Sequence, residues 1–126
     1  MEIFFRDPNQ PLLPRSQVRI TDLRAEPRPD GKRVRVYLAL TAFQERPSGE
    51  IRILNALGDE LASVSFIETI SPRMEFTLHL RGELSNPCQL QARVFYPLID
   101  ENSTVMDEPQ IEVVDQHQMD FELPAV

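Results

Sequence analysis

Apolar and polar residues alternate along most of this chain with the period of two that a strand shows when one face is buried and the other is wet. Val34, Val36, Leu38 and Leu40 alternate with Arg33, Arg35, Tyr37, Ala39 and Thr41. The pattern recurs at Met74, Phe76, Leu78 and Leu80, and again at Cys88, Leu90, Ala92, Val94 and Tyr96, whose polar phase holds Gln89, Gln91, Arg93 and Phe95. Val18 and Ile20 predict an earlier strand. Ile111 and Val113, followed by Met119, Phe121 and Leu123, predict one late strand or two interrupted near residues 115–117.

Proline and glycine sit poorly inside strands, so their positions cut the chain into segments. The cuts at Pro27, Pro47, Gly58, Pro72, Gly82, Pro97 and Pro109 leave about seven stretches of strand length. Between two of them, Ile51 to Ile53 leads through Asn55-Ala56-Leu57-Gly58 into residues 61–66, a hairpin in which Gly58 supplies a positive φ. A helix is the competing reading there, because Ile51, Leu54, Leu57, Leu61 and Val64 fall near helical spacing. Gly58 would cost that helix about 1 kcal/mol.

Short, evenly spaced strands with turn signals between them predict an all-β fold, an antiparallel β-sandwich of about seven strands, with a barrel as the alternative. In layout the chain resembles the immunoglobulin-like and fibronectin type III-like sandwich over residues 15–123. The likeness is architectural. The chain has no Trp and a single cysteine, so the buried Trp and cysteine pair of antibody domains are missing.

Residues 15–126 form the expected domain, and residues 1–14 a proline-punctuated arm. The arm carries Ile3, Phe4 and Phe5, and large apolar side chains lose about 1.5 to 3 kcal/mol each if left wet. It should therefore cover its own domain or a neighbouring subunit.

Composition narrows the partners. The formal net charge is −7, and all 13 Lys and Arg stand in residues 1–93, leaving 8 acids and no base in residues 94–126. Such a chain repels phosphate backbones and anionic lipid, so neither nucleic acid nor membrane is an expected partner. No stretch approaches the length of apolar residues that crosses a bilayer. Cys88 alone cannot form an internal disulfide, and Asp7, Pro8 and Pro11 interrupt any apolar leader, which makes the cytoplasm the expected address.

Candidate chemistry is sparse. Cys88 falls on an apolar phase and reads as a buried structural thiol; His79 and His117 fall in polar surroundings and read as surface residues. No metalloprotease, nucleophile-elbow or phosphate-loop motif occurs, so no catalytic residue and no cofactor is expected, and the chain is read as not an enzyme. The acids of residues 100–108 offer oxygen ligands without the spacing of a calcium loop, and a solvated connection is expected.

The outward phases hold more information. Tyr37, Arg93 and Phe95 combine aromatic and Arg character, which is enriched at protein interfaces, and with Phe4 and Phe5 they form the candidate interface. Arg33, Arg35, Arg52 and Arg93 either lie on ordinary solvated faces or accept the acidic C-terminal segment. The expected function is a non-catalytic protein-interaction or assembly module, self-associating or binding another protein. A small-ligand or calcium-binding accessory domain is the alternative.

Overall fold

The computed structural model describes residues 11–98 and 110–124. Seven strands follow a short 3-10 turn at Arg15–Gln17: β1 Ile20–Pro27, β2 Arg33–Leu40, β3 Ser48–Leu54, β4 Glu60–Phe66, β5 Arg73–His79, β6 Cys88–Pro97 and β7 Ile111–Phe121. They form two antiparallel sheets, one ordered β1-β2-β5 and the other β4-β3-β6-β7. The result is a β-sandwich.

The alternating segments behave as their period requires. Val34, Val36 and Leu38 of β2 and Ile51, Ile53, Leu90 and Val94 of the facing sheet are buried, while the residues between them point outward. The middle of the chain is a hairpin, not a helix: β3 pairs with β4, and Gly58 in the connecting turn has φ +86°. Asn55 holds that turn. Its buried side-chain oxygen accepts from the N–H groups of Leu57 and Asp59, both at 2.9 Å, and its amide donates to Glu83 O at 2.9 Å.

Close approach sets two further positions. A Cβ on Gly49 would collide with the Phe66 ring and stand 2.7 Å from Arg93 O, so only glycine lets Phe66 lie across β3. Phe66 then stacks on Phe76 of the other sheet with centroids 6.2 Å apart. At the N-terminal side, Leu13 donates to Ala42 O at 3.2 Å and accepts from Gln44 N–H at 2.9 Å. The last residues of the expected arm are thus tied to the β2–β3 connection. Residues 1–10 lie outside the described residues.

The late segment is one strand, not two. β7 runs unbroken past Asp115 and His117, and a register shift opposite Val94 and Phe95 absorbs an extra residue. Ile111, Val113, Met119 and Phe121 share one parity in the sequence, and the bulge turns Val113 outward beside Phe95 while Met119 and Phe121 stand opposite the buried Leu90 and Cys88.

Candidate functional site

Arg93 and Phe95 stand two apart on β6 and share the outer face of the four-stranded sheet. The Arg93 guanidinium lies 5.4 Å from the centroid of the Phe95 ring, and its Nη2 is 3.7 Å from Glu50 Oε2 on β3. Its Nε is shielded from solvent and has no partner among the described residues. Phe95 is flanked across the ladder by Val113, an exposed apolar residue of β7.

Tyr37 does not join them. It lies on the outer face of β2 in the other sheet, its hydroxyl 3.5 Å from Glu26 Oε2. The candidate set therefore divides between two opposed faces, and Phe4 and Phe5 lie outside the described residues.

The four outward arginines find local acids. Arg33 pairs with Asp30 at 2.7 Å, Arg35 with Glu75 at 3.1 Å, Arg52 with Glu60 at 2.8 Å, and Arg93 with Glu50. Among the described residues none of them pairs with a C-terminal acid. β7 joins the sheet through its backbone beside β6, which places Gln116 and Gln118, not carboxylates, opposite Arg93 and Gln91.

Cys88 is fully buried, and desolvation pushes its thiol pKa up. A thiol held neutral is a poor nucleophile. His79 is exposed on β5. His117 is exposed on β7 with Nε2 3.5 Å from Asp115 Oδ2. Among the described residues no group of three His, Cys, Asp or Glu stands close enough to hold a metal. Residues 100–108, the calcium alternative, lie outside the described residues.

The most exposed large apolar side chains lie elsewhere. Ile67 is 80% exposed and Ile70 is 74% exposed, both in the loop from β4 to β5. The loop is pinned on both sides. Glu68 N–H donates to Ser48 Oγ at 3.0 Å, Thr69 N–H to Pro47 O at 3.0 Å, and Leu40 N–H to Pro72 O at 2.7 Å. Within the loop Thr69 Oγ1 and Ser71 exchange hydrogen bonds at 3.0 and 3.3 Å. Glu68, between the isoleucines, has φ +47°, the left-handed region that a residue with a side chain adopts only under constraint.

Sequence reasoning missed Ile67 and Ile70 because it searched the periodic strands for interface residues. The available signal was two β-branched apolar residues falling between the end of one alternating segment and a strand-breaking proline. A second exposed pair, Leu57 and Leu84, sits at the other end of the sandwich, in loops joined by hydrogen bonds from Ala56 N–H and the Asn55 amide.

Fold and site together define a β-sandwich that displays apolar side chains on a loop tied down by hydrogen bonds. No family model and no curated protein matches the chain in sequence. Among solved structures it is similar to the β-glucuronidase from Ruminococcus gnavus, in its apo form and in complex with D-glucuronic acid, at 16% identity and a TM-score of 0.43 over 85% of this chain. The matched part is 16% of that enzyme's length. A likeness at that level transfers neither substrate nor activity.

No helix among the described residues is long and apolar enough to cross a membrane.

Proposed function

We propose that this chain is a non-catalytic protein-interaction module that docks through the β4–β5 loop, with Ile67 and Ile70 as its anchors. The exposure of both isoleucines on a pinned loop carries this reading. Burying one such side chain is worth about 1.5 to 3 kcal/mol. A loop already held in shape loses little conformational entropy when a partner closes over it. The acidic net charge argues for a protein surface over anionic lipid or nucleic acid. The Arg93–Phe95 pair on the outer sheet face is a candidate for secondary contact.

The strand order supports a fibronectin type III-like reading of the sandwich. In the constant-type antibody arrangement the fourth strand lies beside the fifth, whereas here β4 is hydrogen-bonded to β3.

The test is a photo-crosslinking amino acid placed at position 70 of the full chain, activated in its own cells. Protein adducts that vanish when Ile67→Asp is added, with the fold intact by circular dichroism, are the expected result. No adduct to any protein, this chain included, overturns the reading.

A further inference from the structure

Beside the isoleucine loop, the outer face of the three-stranded sheet is indented. Ala39 is the small residue in the outward row of β2, which otherwise carries Arg33, Arg35 and Tyr37, and the gap above it is a notch of about 660 Å³. Its walls include Thr21, Arg24, Tyr37, Pro72 and Arg73. Pro72 belongs to the same loop that displays Ile67 and Ile70, so that loop forms part of the rim of the notch.

We propose that the occupant of this surface is a second copy of the chain, each copy seating Ile67 and Ile70 in the Ala39 notch of the other. This inference rests on the interaction-module reading and names its partner. The geometry argues for self-association because a two-fold interface uses one patch on both subunits, so a projection must lie beside the notch that receives its counterpart. Each joint is then made twice and the assembly closes as a dimer.

Charge adds a second argument. Glu68 stands between the isoleucines, and Arg73 forms one wall of the notch. Neither makes an ion pair among the described residues. Seating the loop in the opposite notch brings a carboxylate to a guanidinium, and the two-fold axis supplies that pair twice. Arg24 is already held by Asp22 at 2.7 Å, which makes Arg73 the guanidinium of the notch without an acid partner among the described residues.

The experiment is sedimentation velocity across a concentration series on the full chain, on Ile70→Asp and on Ala39→Arg. The second substitution fills the notch at an outward strand position where Arg33 and Arg35 already sit, so it keeps the test open if the first disturbs the loop. The chain should be a dimer, and each variant should raise the dimer Kd about thirtyfold or more, the scale of an interface hot spot.

Mixing the two variants should recover part of the lost affinity, because the hybrid rebuilds one of the two joints from an intact projection and an intact notch. A chain that stays monomeric at its highest soluble concentration overturns the proposal. So does a dimer that survives both substitutions, or one that is lost only when residues 1–10 are removed. Adducts at position 70 to a different protein would sink the second copy and leave the interaction-module reading standing.

Discussion

Ile20 donates its backbone N–H to Asp115 Oδ2 at 2.8 Å, a bond that runs from the edge strand β1 of one sheet to the edge strand β7 of the other. Asp115 Oδ1 accepts from Gln116 N–H at 3.0 Å, and Arg19 Nη1 reaches Val114 O at 3.3 Å beside it. Where two sheets meet along an open side, unpaired backbone groups must be satisfied or covered. Here one carboxylate satisfies a group on each sheet.

Asp115→Ala should cost about 1 to 3 kcal/mol, because it leaves a partly buried donor on Ile20 without an acceptor. Asp115→Asn, which keeps a side-chain oxygen, should cost less than half as much. Urea denaturation of both variants checks this; equal losses would mean that the carboxylate's charge, not its acceptor, holds the edge.

Tyr96 is buried, and its hydroxyl donates to Glu45 O at 2.8 Å. Burial, with the nearby Glu45 charge, pushes its pKa up to about 12. The folded state therefore resists ionisation that the unfolded chain undergoes near its ordinary value of 10.0. The stability that this resistance contributes is intact below pH 10 and is lost as pH rises through about 12, because the unfolded chain gives up the proton first. Tyr96→Phe should cost about 0.5 to 1.5 kcal/mol at neutral pH for the hydrogen bond. It should also flatten the alkaline slope of stability measured by chemical denaturation. An unchanged slope would assign the alkaline loss to other groups.

Gly49→Ala should destabilise by about 1 to 3 kcal/mol, the range for forcing extra volume into a filled site, since the new methyl group meets both the Phe66 ring and a backbone carbonyl. Gly49→Ala combined with Phe66→Leu should recover part of that loss. Additive losses in the pair, measured by thermal unfolding, would show that Phe66 is not the obstacle.

Asn55→Ala removes the acceptor for two turn N–H groups and the donor to Glu83 O, so it should cost about 2 kcal/mol or more. The β3–β4 turn and the loop at Glu83 should lose protection together in hydrogen exchange. Protection lost in the turn alone would mean that the Asn55 amide contributes little to joining the two loops.

The amino-acid sequence by itself determined the all-β class and most of the strands, and the pairing into two separate sheets decided for the sandwich over the barrel. Period two and the proline and glycine cuts are local properties, and they marked Val34 to Leu40, the Gly58 turn and Cys88 to Tyr96 directly. β7 was ambiguous, because the polar run from Asp115 to Gln118 separates its two apolar halves and only the partner β6 shows that they are continuous.

Which outward residues share a surface was decided by the tertiary structure. Tyr37 and Phe95 occupy equivalent outward phases, yet strand pairing sends β2 to one sheet and β6 to the other. Arg35, Arg52 and Arg93 are matched to acids on neighbouring strands by register, which no single segment encodes, whereas Arg33 meets Asp30 three residues before it. Ile67 and Ile70 carry no periodic signal at all. Their exposure follows from hydrogen bonds to Pro47 and Ser48, which lie close to the loop in the fold and far from it along the chain. Local periodicity reports whether a residue faces in or out, whereas a site depends on which distant segments the core brings side by side.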